Sequence, residues 1–189
     1  PFHPPLLPNK VTLTPPRADG GVNFGDAVML ANINAGAALA VDVQDADPRS
    51  GEASCAVSAS THPAPVARNT FSFEKYTPRA SAFLTQTWDD ESVRYGQKVR
   101  VVLNASAGGL GGESKLYLRS FAVSTTRAAK LSRKCEVAAS TGAASYECVF
   151  EVLTPDPAKR LVSEGVPLMA GAPVVLKVRA FPNHHTPPP

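Results

Sequence analysis

Cysteine and long apolar runs are scarce in this chain of 189 residues. Only three cysteines occur, Cys55, Cys135 and Cys148. This odd, sparse set differs from the even disulfide framework of a small secreted domain, so we expect buried thiols in a reducing compartment. No stretch reaches the roughly 20 apolar residues of a membrane span. The chain also opens without the basic start and apolar core of a signal peptide. These absences predict a soluble protein with no membrane partner.

Charge is also low, since charged residues make up 19% and the formal net charge is +3. Nucleic-acid binding needs basic residues gathered on one face, so the composition predicts no nucleic-acid partner. One basic cluster stands out, and it has two interpretations. It is either a solvated hairpin edge or a salt-sensitive contact for an acidic protein surface. Its members are Arg127, Lys130, Arg133 and Lys134.

Signatures of catalysis are missing as well. The glycine-rich loop at residues 108–112 is followed by Glu113, and Lys115 then opens a β pattern, so the loop is not a phosphate-binding P-loop. No histidine has a cysteine or carboxylate nearby at metal-ligand spacing. The acidic run at residues 89–91 is typical of a solvated turn, and no nucleophile-elbow pattern occurs. We therefore expect a protein that is not an enzyme and holds no metal or cofactor.

Proline and glycine, by contrast, are abundant, with 18 and 13 residues respectively, and they cluster between apolar runs. That distribution favours short strands joined by loops. Residues 1–21 read as a proline-rich arm that is either disordered alone or laid along a partner, with Pro4 and Pro5 as candidate partner contacts. A domain at residues 22–181 follows, and residues 182–189 form a proline-rich tail.

A short phrase is repeated along this domain. The sequence NFGDAVML at residues 23–30 returns as RYGQKVRVVL at residues 94–103, with a weaker echo, MAGAPVVL, at residues 169–176. Successive glycines of the phrase are 71 and 75 residues apart. Near-even spacing indicates one structural unit used three times. The residues that define the repeat are Phe24, Gly25, Tyr95, Gly96 and Gly171.

Alternating apolar and polar residues predict strands in and between these copies. Strands are predicted at residues 22–30, 38–43, 69–76, 99–103, 115–121, 146–153 and 174–181. Residues 131–137 are a further candidate strand, and residues 162–166 form a short uncertain element. No window longer than about ten residues carries a helical stripe. The fold class predicted from these patterns is all-β.

Several segments together resemble the cilia- and flagella-associated protein 161 family. They occur in the same order as in that family, over residues 24–178. The motif of an aromatic residue, glycine and valine is shared with MIR domains at large, whereas ARNTF and PDP are more specific. The segments are FGDAVML at 24–30, ARNTF at 67–71, RYGQ at 94–97, KLYLRS at 115–120, PDPAKRL at 155–161 and EGVPLMAGA at 164–172.

This resemblance implies a MIR-like β-trefoil with long loops and an incomplete third lobe. It also implies a structural role as a microtubule inner protein of motile cilia. Such a protein binds α/β-tubulin and neighbouring inner proteins in the lumen of the axonemal doublet, and it has no catalytic residues. Two alternatives remain at this point. One is a carbohydrate-binding or accessory MIR-type trefoil module of a glycosyltransferase, and the other is a small hydrolase on a β scaffold.

Overall fold

The computed structural model describes residues 11–46, 54–77, 88, 90–103, 115–122, 135–141 and 146–178. Strands dominate these residues, with a few 3-10 turns and one four-residue α-helix. The strands are β1 (Ala31–Asn32), β2 (Ala37–Ala46), β3 (Ser54–Ser60), β4 (Phe71–Lys75), β5 (Lys98–Leu103), β6 (Leu116–Ala122), β7 (Cys135–Ser140), β8 (Phe150–Leu153) and β9 (Val175–Val178). The 3-10 turns are Ala67–Asn69, Tyr146–Cys148 and Pro157–Lys159, and the helix α1 is Arg160–Ser163.

All strands join one open antiparallel sheet. Its order is β1-β2-β3-β7-β6-β5-β8-β9, and β4 pairs with β5 beside that path. Every pairing is antiparallel. The all-β prediction is therefore confirmed, and helix contributes little to the described residues.

The same order of structural elements occurs twice along the chain. In each case a repeat segment is followed by a hairpin, a 3-10 turn and a closing strand. The hairpin is β2–β3 in the first case and β6–β7 in the second, and the closing strands are β4 and β8. The three repeat segments are residues 22–30, 93–101 and 168–176.

These three repeat segments meet at one point through a closed ring of backbone hydrogen bonds. The amide of Val22 donates to the carbonyl of Leu168 at 2.8 Å, and the amide of Leu168 donates to the carbonyl of Val93 at 2.7 Å. The amide of Val93 completes the ring at the carbonyl of Val22, at 2.9 Å. All three side chains are buried in the main core. Each segment thus gives and receives one bond, which is a threefold arrangement.

A second ring of bonds lies two residues further along each segment. Its donors are the amides of the residues that directly precede the three repeat glycines. Each acceptor is a carbonyl in the linker that leads into another repeat segment. The bonds run from Phe24 to Glu91 at 2.8 Å, from Tyr95 to Val166 at 3.0 Å, and from Ala170 to Gly20 at 2.8 Å. Agreement between the two rings shows that the repeat in the sequence is also a repeat in space.

Parts of three predicted strands take other conformations. The strand predicted at residues 69–76 begins only at Phe71, because the buried side chain of Asn69 accepts a bond from the Val66 amide at 2.8 Å and stabilises a 3-10 turn. The strand predicted at 146–153 likewise begins at Phe150, after a 3-10 turn. Residues 22–30 form isolated bridges around a turn at Gly25 rather than one strand.

The repeat glycines differ in how much room surrounds them. Both Gly25 and Gly96 have positive φ, at 82° and 83°, which non-glycine residues adopt at a cost. A methyl group on Gly25 would meet nothing within 4 Å, whereas one on Gly96 would lie 2.8 Å from the Glu164 side chain.

We therefore expect Gly25→Ala to lower the free energy of unfolding by about 1 kcal/mol and Gly96→Ala by about 2 kcal/mol. Urea unfolding of the two matched variants measures the difference. An equal or reversed order would contradict the assigned turn geometry.

Candidate interaction surface

The predicted contact residues divide between the described and undescribed parts of the chain. The repeat-defining residues Phe24, Gly25, Tyr95, Gly96 and Gly171 are all described. Phe24 and Tyr95 donate in the second ring of bonds, and the three glycines directly follow its donors. The basic cluster and the first ten residues lie outside the described residues. Predictions about Pro4, Pro5, Arg127, Lys130, Arg133 and Lys134 therefore stay predictions.

An exposed apolar surface appears on the linker that enters the third repeat segment. Leu161 and Val162 sit on helix α1 and are each 83% exposed. Val166 follows on the same linker and Met169 at the start of the third repeat segment, and both are also exposed. Four large apolar side chains thus face solvent within nine consecutive residues, and we call them the apolar ridge. Exposed apolar groups gathered in this way mark protein interaction sites more often than scattered ones do.

The start of the ridge is fixed by a local turn. Asp156 accepts a bond from the Ala158 amide at 3.0 Å through its side chain, and Pro157 occupies the first position of the 3-10 turn. An acidic cap followed by proline is favoured where a helical segment begins. The side chain of Ser163 then donates to the carbonyl of Lys159 at 2.8 Å. These hydrogen bonds stabilise helix α1, although its apolar side chains make few packing contacts.

The middle of the ridge is tied to the second repeat segment. The Gly165 amide donates to the Tyr95 carbonyl at 2.9 Å, and the Arg94 guanidinium donates to the Gly165 carbonyl at 2.6 Å. The ring of Trp88 lies 3.1 Å from where a Gly165 Cβ would stand. The ridge is therefore presented on a supported segment, which lowers the entropy lost when a partner binds.

Asp90, in the acidic run, is an ion-pair partner. Arg94 donates through Nε to Asp90 Oδ1 at 3.3 Å and pairs again through its Nη2. The bond from Arg94 holds the pKa of the exposed Asp90 carboxyl below its ordinary value. Because Arg94 also binds Gly165, this pair helps to orient the side chain that anchors the ridge.

A second polar group lies across strands β4, β5 and β6. The Arg100 guanidinium stands 5.3 Å from the Tyr76 ring centroid and 5.9 Å from that of Tyr117. Beside it, Lys115 pairs with Glu74. Burial raises the pKa of Tyr117, and the Glu74 charge adds to this. Cation–π contacts of this kind contribute about 0.5–1 kcal/mol each at exposed sites. We therefore interpret these side chains as stabilising the pairing of neighbouring strands.

The outer edge of the third repeat segment is the last feature of this surface. The Val152 amide donates to the Gln97 carbonyl, and the Val152 carbonyl accepts from the Gly96 amide, both directly before β5. Backbone N–H and C=O groups of successive residues point to opposite edges of a strand. The backbone groups of Leu153 therefore point to the opposite edge from those of Val152, where Leu153 pairs with Val175 of β9. The backbone groups of Val174 and Leu176 then point away from β8, toward an edge that no described strand covers.

Cys55 and Cys148 are buried, as expected from the sequence, while the Cys135 side chain lies outside the description. Among the described residues, no group of three or more His, Cys, Asp or Glu side chains could hold a metal ion. No helix in the described part of the chain is long and apolar enough to cross a membrane.

Sequence reasoning missed the ridge, although a signal for it was present. The segment PDPAKRLV joins a capping residue and proline to two apolar residues, which is a helix-start pattern. This pattern predicts a helical turn, but periodicity over four residues cannot show which face is buried. No protein-family model and no curated protein matches this chain.

Proposed function

We propose that this protein is a non-catalytic, MIR-like β-trefoil that binds other proteins. The two hydrogen-bond rings support the trefoil, because each of three repeat segments occupies an equivalent position around one centre. The twice-written order of repeat segment, hairpin, 3-10 turn and closing strand supports it further. A fold of this kind presents loops and linkers on a rigid scaffold, which suits a binding protein.

The observation that carries the binding role is the apolar ridge. Leu161 and Val162 are large, adjacent, exposed and held on a capped turn, and clustered exposed apolar residues are typical of interaction sites. Two of the segments that resemble the ciliary family, at residues 155–161 and 164–172, contribute to the ridge. The resemblance and the exposed surface thus fall on the same part of the molecule.

The partner we propose is α/β-tubulin in the lumen of the axonemal doublet microtubule, together with neighbouring inner proteins. In this role the chain stabilises the doublet of motile cilia by binding the lattice repeatedly. The ridge supplies apolar contact area, and the basic cluster at residues 127–134 supplies attraction to the acidic tubulin surface. Apolar contacts fix affinity, while rim charges mainly set the association rate and its salt dependence.

Charge reversal tests the electrostatic part of this proposal. We expect Arg133→Glu combined with Lys134→Glu to weaken binding to isolated doublets about tenfold at low ionic strength, because like charges then face each other. The loss should shrink as salt rises and the Debye length falls to about 8 Å at physiological ionic strength. Sedimentation with doublets over a salt series measures it.

The matched control is Lys98→Glu, which reverses an exposed charge on β5, outside the apolar ridge. Unchanged binding of the Arg133 and Lys134 variant at every salt concentration would remove the basic cluster from the proposal. Binding of the parent chain to a glycan array, with none to doublets, would favour the carbohydrate-binding alternative.

A further inference from the structure

Strands in the described part of the chain close two of the three gaps between neighbouring repeat segments. Strand β4 lies between the first and second segments, where Phe71 exchanges two bonds of 2.8 Å with Val28 and faces Leu103 across the ladder. Strand β8 lies between the second and third segments in the same way. There Phe150 pairs with Val99 on one side and with Val178 on the other.

The third gap lies between the third segment and the first, and no described strand closes it. Gly171 and Val174 correspond to Gly25 and Val28, whose amides donate to Phe73 and Phe71. Within the described residues, the amides of Gly171 and Val174 have no such acceptor. We call this place the third gap.

The N-terminal segment reaches only one end of the third gap. The Thr14 amide donates to the Ala27 carbonyl at 3.0 Å, and the Thr14 hydroxyl accepts from the Ala27 amide at 2.8 Å. Val11 then turns aside and donates to the Pro65 carbonyl at 3.3 Å. This contact leaves the Gly171 and Val174 side of the gap untouched.

Burial follows the same pattern. Val99 and Val101 of the second segment, which has a strand on each side, are fully buried. Their counterparts in the first segment, Val28 and Leu30, are only partly buried. Their counterparts in the third segment, Val174 and Leu176, are also only partly buried. At these equivalent positions, the apolar side chains that border the third gap are therefore less covered than those of the second segment.

We propose that the third gap binds an extended segment of a partner protein that adds one antiparallel strand. The segment carries two large apolar side chains two residues apart, with a polar residue between them. The strands that fill the other gaps define this pattern, as Phe71-Ser72-Phe73 and Phe150-Glu151-Val152. Within each triplet the outer side chains are buried and the central one is half-buried.

Backbone geometry sets how such a segment would lie. Its first apolar residue would exchange bonds with Val174, as Phe71 does with Val28. The carbonyl of its second apolar residue would accept the Gly171 amide, as Phe73 accepts Gly25 at 3.0 Å. When a peptide adds a strand to a sheet in this way, its main-chain hydrogen bonds provide affinity and every second side chain provides specificity. The inference needs no tubulin contact and stands apart from the proposed function.

A peptide with the sequence of residues 66–76, VARNTFSFEKY, serves as the probe. We expect it to slow hydrogen exchange of the Gly171 and Val174 amides about tenfold when its concentration is about ten times its Kd. The control peptide replaces both phenylalanines by serine and should have no effect. Exchange is read by NMR on the intact chain, so each amide reports separately.

A variant of the protein provides the second control. Leu176→Asp places a charge on a core-facing side chain that borders the third gap and should abolish peptide binding, with urea unfolding used to verify that the variant is folded. Ile33→Asp changes a residue that is already exposed and should leave peptide binding unchanged. Three results would overturn the proposal. These are no protection at millimolar peptide, protection at Val28 and Leu103 instead, and slow exchange of Gly171 and Val174 before peptide is added. The last would show that this chain or a second copy already covers the gap.

Discussion

Replacing Phe71 by alanine is expected to lower the free energy of unfolding by about 3–5 kcal/mol, the largest effect of any variant considered. The Phe71 side chain is fully buried at the centre of the main core. Its strand also joins two repeat segments, through Val28 on one side and Leu103 on the other. Alanine keeps the backbone bonds but leaves a cavity whose lining loses packing contacts.

Urea unfolding followed by circular dichroism measures this loss. Ile33→Ala is the matched control, since Ile33 is 75% exposed and its truncation should change stability by less than about 0.5 kcal/mol. A loss below about 1 kcal/mol for Phe71→Ala would mean that β4 does not close the gap between the first two repeat segments.

Placing charge on the apolar ridge is expected to have the second largest effect. We expect Leu161→Asp combined with Val162→Asp to weaken binding to isolated doublets about 30-fold, or about 2 kcal/mol. Both side chains are 83% exposed, so the folded protein loses almost no packing. Aspartate in the first turn of a helix is also well tolerated. The variant should therefore separate binding from stability.

Sedimentation with doublets, together with urea unfolding of the same variant, makes that separation visible. Ile33→Asp carries a charge to an exposed apolar position away from the ridge and should bind as the parent chain does. Parent-like affinity of the Leu161 and Val162 variant would exclude the ridge as a contact surface. Unfolding of the variant would instead contradict the exposure of these side chains.

The repeated glycine phrase was the part of the sequence that predicted most. It contains the residue type that a positive φ requires, and the three glycines adopt φ of 82°, 83° and 80°. It also places Val28, Val99 and Val174 at equivalent positions, which alternation alone identifies as core-facing. The all-β class followed from these local signals, because turn chemistry and period-two patterning act over a few residues.

Other features depend on contacts between distant residues and could not be read locally. Asn69 looks like part of a strand, yet its side chain accepts from the Val66 amide and donates to the Ala64 carbonyl at 3.1 Å, which forms a turn instead. The exposure of Leu161 is also invisible in sequence, since a leucine is as apolar in a core as on a ridge. The partial covering of Val174 depends on which strands neighbour its segment.

The central proposal is that this chain binds tubulin inside the doublet microtubule. Electron cryo-tomography of axonemal doublets after salt extraction, with the chain carrying a density label, tests it most directly. We expect labelled density of this 19.8 kDa chain inside the doublet lumen, repeated along the lattice and retained in salt. Label released with the soluble fraction, or found only on the outer surface, would contradict it.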